Sequence, residues 1–573
     1  MKEFILRPSK YGSNKITDLD ILHPINAHTI RMLSDTTFTS LLDDGIPAGT
    51  NPLTWHGIAG SQPTGEFIYA RGKFTGVEIS AGVIVCDDRV FFGGTSSTST
   101  STVYYVSTTG DDANDGLSDV TPWQSIQYAE LNAPPGATIA LERGNTWVET
   151  IALGITHGGT EGNHTIWDGD YWGAGAQAII QASANRATPN ASIVNIINCH
   201  YVTFQNITVD GNNKQTWGIV VGGDITAYFS PGNVQNDERH IIVQDCEITD
   251  CGDGTTYCNA VQVRCADSDV YDITIQRNTI DGCSSHGITF YPQIAQYIGG
   301  ATPKAIIGGY IGYNTITNYH KYSGNTGNGI HIDWDSRDII IEHNDIADVL
   351  GNGVACIALD SGAGGSIYFP TDIIMRYNNL SSAGADGIAA YGGGALTVDI
   401  YGNVITLTGT GLQRRGIDFH YDDPYDYTGA AINIYFNTIV ANGTDNPSCL
   451  YDGTQQVGAV TFKNNIFYGD GENLIVYGTS LSEPIHSNNL YYKSGAGNWT
   501  KFLGVERDAA NTLVWEPTAV ITDPTFTTEF TNLHLQVGSP ALDKGVPVSG
   551  IIIDIEGTTL STPPNMGAYE NTA

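Results

Sequence analysis

Positive charge is scarce in this sequence: 25 Lys and Arg stand against 60 Asp and Glu, a net charge of −35 over 573 residues. Such a surface repels nucleic acid and anionic membranes, so neither is expected as a partner. It also disfavours a strongly polyanionic substrate unless metal ions or a local basic patch intervene. Charged residues of either sign make up only 15 %, so solubility rests on neutral polar groups. No apolar run reaches 18 residues, so no membrane-spanning helix is expected. The opening MKEFILRPSKYGSNK has no apolar stretch followed by a small-residue cleavage site, so it does not read as a secretory leader. The nine Cys contain no C-x-x-C pair, which argues against zinc. Cys246, Cys251, Cys258, Cys265 and Cys283 read instead as small residues of interior columns and bends. Helical periodicity is nearly absent. WQSIQYAEL (123–131) is the one convincing stretch, between Pro122 and the stop signal PPG.

What is there is a repeat. ITIQRNTI (from Ile273), GYIGYNTI (Gly309), IIIEHNDI (Ile339), IIMRYNNL (Ile373), VDIYGNVI (Val398), INIYFNTI (Ile432) and VTFKNNIF (Val460) share one pattern: three alternating positions, an Asn, and an aliphatic residue two places on. The Asn falls at 278, 314, 344, 378, 403, 437 and 465, with an echo at Asn488. IIVQDCEI (from Ile241) carries Cys246 in that slot, and VTFQNITV (from Val202) is earlier still. A period of about 30 residues is one supersecondary unit stacked on itself. The two-residue alternation makes the unit a strand. One strand cannot bury its apolar face alone, whereas parallel stacking gives each copy two neighbours and a continuous interior. The expected fold is all-β: a right-handed, single-stranded parallel β-helix. Asn fits the bends because it tolerates left-handed backbone angles, and stacked Asn side chains hydrogen-bond along the ladder. A solenoid grows in one dimension, which accommodates this length.

A second phrase follows the Asn: GITFY (287–291), GIHID (329–333), GVACI (353–357), GIAAY (387–391) and GIDFH (416–420). Its second and fourth residues should face inward, and its third and fifth outward. The outward columns then read Thr289, His331, Ala355, Ala389, Asp418 and Tyr291, Asp333, Ile357, Tyr391, His420.

The organisation follows from where the repeat stops. Residues 1–93 lack it and read as a small β-rich module with alternating runs broken by Gly and by CDD. GTSSTSTST (94–102) is a linker. Residues 103–522 form the β-helix, with the helix at its start as a cap. Residues 523–573, rich in Pro and Gly, form a C-terminal cap.

The two ends carry a resemblance. YYVSTTGDDANDG with TPWQSIQYA and PPGATIALERGNTW resembles the opening segment of pectate-lyase-like right-handed β-helix proteins, and NLHLQVGSPALDKG with NMGAYE resembles their closing segment. The similarity covers roughly residues 103–573. That superfamily includes polysaccharide lyases, glycoside hydrolases, phage tailspike depolymerases and adhesins. A non-repetitive N-terminal module, a low-complexity hinge and a β-helix together look like a tailspike. This implies a homotrimer located in the virion tail or outside the cell, a polysaccharide partner, and virion tail or baseplate proteins bound through residues 1–93. The resemblance makes GDDANDG (110–116) a structural turn.

Candidate chemistry lies in two outward segments. GIHIDWDSRD (329–338) places His331, Asp333 and Asp335 on one face if the strand runs that far. RRGIDFHYDDPYDY (414–427) places Asp418 and His420 likewise. Asp360, one coil along from Asp333, is an alternative partner. Glycoside hydrolysis needs one carboxyl to protonate the leaving oxygen and another to activate water or attack. Neighbours i and i+2 on one strand face lie roughly 6.5–7 Å apart, which reaches the ~6.5–9.5 Å window of inverting enzymes. Asp333 with Asp335 meets that. Ala355 and Ala389 between the two segments would make a trough, with Tyr291, Trp334, Tyr391, Tyr421 and Tyr425 placed to stack on sugar rings. Arg414 and Arg415 are the basic pair beside it, and Arg337 is another basic candidate. No metal or other cofactor is expected. Calcium is the one candidate, and no loop has a dedicated calcium spacing. Hydrolysis of a bacterial surface glycan is the leading expectation. The alternatives are a non-catalytic adhesin or virion fibre, and a secreted polysaccharide lyase.

Overall fold

The structure is a computed structural model. It describes residues 101–570 except 186–191, 223–237, 266–267, 293–303, 321–326, 349–353, 361–368, 383, 385, 392–395, 409–413, 420–426, 443–446, 453–456, 472, 478–482, 495–496 and 503, and before them only strands between residues 14 and 87. Two compact units result: Met1–Thr100 with Pro547–Ile552, and Ser101–Val546 with Ile553–Ala573. In the first, six strands form one antiparallel sheet, with Phe67–Ala81 between His23–Met32 and Thr36–Asp43.

The second unit is a stack of three-strand coils. Its strands collect into two 13-stranded sheets and one of 12. In a typical coil, Val270–Gln276 belongs to the first sheet, Thr279–Asp281 to the second and Ile288–Pro292 to the third. Every pairing between successive coils in these sheets is parallel, and one antiparallel strand, Val505–Arg507, closes the third sheet. The chain is a right-handed parallel β-helix, the hand that parallel crossovers take.

Register follows the aliphatic columns. Ile288, Ile330, Ile357, Ile388, Ile417 and Leu450 stack in line, and none is more than 1 % exposed. In the first sheet, Ile273, Gly309, Ile339, Ile373, Val398 and Ile432 do the same. Glycine interrupts that aliphatic column because Phe290 fills the space: a Cβ on Gly309 would lie 2.7 Å from its ring.

The Asn column forms a continuous hydrogen-bonded ladder. Asn278 Nδ2 donates to Asn314 Oδ1 (3.0 Å) and to the Val243 carbonyl (3.0 Å), and its backbone N–H donates to the same Asn314 oxygen (3.0 Å). The pattern repeats from Asn314 to Asn344, Asn378, Asn403, Asn437 and Asn465. The last rung is Asn489 and not Asn488 as the echo suggested: Asn465 Nδ2 donates to Asn489 Oδ1 (3.0 Å). The left-handed angle also belongs elsewhere. The residue before each slot takes it, as Arg277 (φ 54°), Tyr313 (58°), His343 (52°), Tyr377 (56°) and Asn488 (56°) show. That conformation costs an L-residue about 1–2 kcal/mol, and the buried ladder offsets it.

The expected helix is Ile126–Asn132, N-capped by Ser125. In GDDANDG, Asp112 accepts the Gln124 and Ser125 amides (2.8 and 2.9 Å) and Asp115 accepts that of Leu117 (3.1 Å), as a structural turn would. The eight Cys from Cys199 to Cys449 are all buried.

A second helix, Ala509–Trp515, is followed by Glu516, which is buried and closes the ladder beyond Asn489. It accepts the Asn489 N–H (2.8 Å) and the Tyr491 hydroxyl (2.7 Å) and meets His486 Nδ1 (3.1 Å). Residues from both ends of the 526–568 stretch pack on the side of the coils. Phe526, Leu533, Leu535, Ala541, Met566 and Ala568 cover Val404, Val440, Ile466 and Leu490. Glu516→Ala orphans buried donors, each worth about 1–3 kcal/mol. Hydrogen exchange in the 485–493 coil is expected to accelerate at least tenfold, and unchanged protection there would contradict this role.

Candidate acid–base site

Strand Asn328–Asp333 alternates as its sequence dictates, with Ile330 and Ile332 in the core and His331 and Asp333 off it. The next strand is Ala355–Asp360, and here the expected register fails. His331 pairs with Ala358 and Asp333 with Asp360, while Ile357 is a core residue. The outward columns are therefore Thr289, His331, Ala358, Ala389, Asp418 and, beside it, Asp333, Asp360, Tyr391. Cys356 occupies the small-residue position held by Gly329 and Gly387 in the flanking strands. A Cβ on Gly329 would lie 2.6 Å from the Cys356 carbonyl.

The shift brings Asp360 directly beside Asp333. His331 Nε2 lies 3.2 Å from Asp333 Oδ1 and 3.9 Å from Asp360 Oδ2, and the three groups offer atoms all within 4.8 Å of one another. A fourth member, His286, places its Nε2 3.2 Å from His331 Nδ1. The Asp333 side chain is 5 % exposed, that of His331 12 % and that of Asp360 33 %, so the cluster opens to solvent at Asp360. Burial, then the charge of Asp360, pushes the Asp333 carboxyl well above the ordinary carboxylate range. Burial lowers His331, against the pull of Asp360, and lowers His286 further, with help from His331 and His320. Burial thus favours the protonated form of Asp333 and the neutral forms of His331 and His286, beside a second, more exposed carboxyl.

Asp335 does not join it. The strand ends at Asp333 because Trp334 takes φ 39°, a strained value for a bulky residue. Asp335 then turns to Arg337, which holds it through two bonds (2.5 and 2.7 Å). The expected Asp333–Asp335 pair is thus replaced by Asp333–Asp360, and Arg337 is engaged away from the cluster. Trp334 is buried, with its ring 4.8 Å from that of Tyr291. Tyr391 stands beside Asp360 in register, and its side chain lies outside the described residues. So do His420, Tyr421 and Tyr425. The alanine trough is not open: Ala355, Ala358 and Ala389 are fully buried and pack together.

A second cluster lies farther along the same sheet. Asp418 accepts Arg415 Nη1 (2.6 Å), and the guanidinium lies 3.6 Å from the centre of the Tyr451 ring. Asp386, which the sequence reading overlooked, accepts the Arg415 N–H (2.7 Å) and hydrogen-bonds Asp418. Arg414 is 1 % exposed, so the expected substrate-facing basic pair is one buried residue and one engaged by Asp418. Burial, then the Asp418 charge, raises Asp386 well above the ordinary range, opposed by Arg415. A carboxyl whose folded pKa exceeds its unfolded ~3.9 holds its proton more tightly in the fold. Stability is then fullest below that value and falls as pH rises toward the folded one, by up to ~1.4 kcal/mol per unit. Asp386→Asn retains both hydrogen bonds and removes the titration. The variant should melt higher than the parent at pH 8 and level with it at pH 4. A lower melting temperature at both would contradict the assignment.

Calcium takes six to eight oxygen ligands, and the donors of the first cluster are two carboxylates and an imidazole.

No family model matches the chain, and neither does any curated protein sequence. Among solved structures it is similar to the pectate lyase Pel9A (16 % identity over 83 % of this chain and 98 % of that one, TM-score 0.42). It is also similar to XylC in complex with xylose (12 %, 82 % and 98 %, 0.45) and to the Dettilon tailspike protein (14 %, 70 % and 68 %, 0.37). At these values the comparisons assign no reaction to this chain.

Proposed function

We propose that the chain binds a polysaccharide along its third sheet and hydrolyses a glycosidic bond at Asp333 and Asp360. One observation carries the reading: a buried carboxyl, pushed above the ordinary carboxylate range, beside a second, solvent-reaching carboxyl. Environments that push two carboxyls apart in this way assign acid and partner. Asp333 gives its proton to the leaving oxygen, and Asp360 attacks the anomeric carbon. One oxygen of each lies within 4.8 Å of the other, nearer the ~5–5.5 Å of retaining enzymes than the wider inverting spacing. The inverting geometry expected of Asp333 with Asp335 has no counterpart. The net charge of −35 favours a neutral glycan. In the same proposal the protein is a homotrimeric tailspike whose residues 1–93 attach to a virion tail. The support for this is the separate N-terminal sheet ahead of a Ser/Thr-rich segment.

The test is incubation with a panel of capsular and O-antigen polysaccharides. New reducing ends with retained anomeric configuration are expected. Absorbance from an unsaturated uronide would replace hydrolysis by elimination, and binding without new ends would leave an adhesin.

A further inference from the structure

His286 was not singled out in the sequence, yet the hydrogen bonds around it decide what His331 can do. The Asn328 backbone N–H donates to His286 Nδ1 (2.9 Å). A backbone amide is a donor without ambiguity, so Nδ1 is the accepting nitrogen. A neutral imidazole carries its single proton on the other nitrogen, so His286 is protonated at Nε2. That proton points at His331 Nδ1, 3.2 Å away, which must therefore accept. The proton of His331 is then on its own Nε2, facing Asp333 Oδ1 at 3.2 Å and Asp360 Oδ2 at 3.9 Å. Asn328 is itself fixed, with its Oδ1 accepting the Ala355 N–H (2.9 Å).

We propose that His286 is a positioning residue that locks His331 as a neutral hydrogen-bond donor. Two consequences follow. His331 Nε2 has no free lone pair, so the His331–Asp333–Asp360 trio is not a divalent-metal site despite its spacing. His331 also cannot become an imidazolium without a proton on Nδ1, where His286 already donates. It is therefore not the acid or base of the reaction. Instead it holds Asp333 Oδ1 as an acceptor and leaves the acidic proton on Oδ2. The groups facing the pair are the Tyr257 ring, edge-on at 5.4 Å from His286, His320, Asp333 and Asp360. The catalytic meaning rests on the function proposed above, whereas the tautomer does not.

The primary test is nitrogen NMR on the full chain labelled with ¹⁵N-histidine, assigned with His331→Gln. The expected result for both His286 and His331 is an unprotonated Nδ1 and a protonated Nε2, unchanged from pH 6 to pH 8. A protonated Nδ1 on His331, or its conversion to imidazolium in that range, would overturn the proposal. His286→Phe removes the lock. With an active glycan, kcat should fall at least about tenfold with KM little changed, and a new ionisation from His331 should enter the pH profile. His286→Gln, which restores a donor near Nε2, should recover most of kcat. Equal losses in both variants with no new ionisation would reduce His286 to a packing residue and overturn the proposal. Because His286 is buried, a variant that fails to fold leaves the parent-protein spectrum to decide. Absence of any cleavage with a confirmed tautomer would sink the hydrolase reading and leave the lock standing.

Discussion

Asn378→Leu should destabilise the β-helix by about 3–6 kcal/mol, the cost of two or three buried polar groups left unpaired. Asn378 Oδ1 accepts both the backbone N–H and the Nδ2 of Asn344 (3.0 Å each), and its own Nδ2 donates to the Ile341 carbonyl (2.9 Å) and to Asn403 Oδ1 (3.0 Å). Leucine is of similar bulk and replaces none of these. A solenoid couples mainly nearest neighbours, so the damage should be concentrated in the 344, 378 and 403 turns. Urea denaturation followed by hydrogen exchange resolves both the size and the place. An unchanged midpoint would mean that the ladder contributes shape and not stability.

Asp333→Asn should lower turnover by about 10²–10⁴-fold, the range that general acid catalysis supplies, while leaving the fold and glycan binding intact. Asn keeps an oxygen for His331 Nε2–H and loses only the transferable proton. The parent rate should fall as pH rises through the elevated Asp333 ionisation, because the acid must be protonated to act. The variant's residual rate should lose that limb. Steady-state kinetics with calorimetric binding separates the two effects, and a variant turning over within about threefold of the parent would move the chemistry elsewhere.

Much of this fold is legible in the sequence because a stacked strand must repeat its apolar columns. Seven Asn positions marked seven rungs directly. The eighth was read one residue early because Asn488 and Asn489 are adjacent, and only the hydrogen-bond register distinguishes them. The site was half legible. His331 and Asp333 stand off the core as alternation requires. The neighbouring coil misled because GVACI and CIALD both place apolar residues second and fourth, and the Gly that marks the phrase is replaced by Cys356. Reading the marker as any small residue would have put Asp360 beside Asp333 at once. Asp335 failed for a local reason: alternation ends where Trp334 turns left-handed. His286 and Asp386 stand just before the Gly that opens their phrases, His286 ahead of its strand and Asp386 at the first residue of one, outside the positions whose periodicity was read.

Where a glycan sits on the third sheet is the most direct test of Asp333 and Asp360. A crystal structure of Asp333→Asn with an oligosaccharide of the cleaved polymer should place the scissile oxygen within hydrogen-bond reach of residue 333, with the anomeric carbon facing Asp360. An oligosaccharide bound away from both residues, with the His331–Asp333–Asp360 cluster untouched, would contradict it.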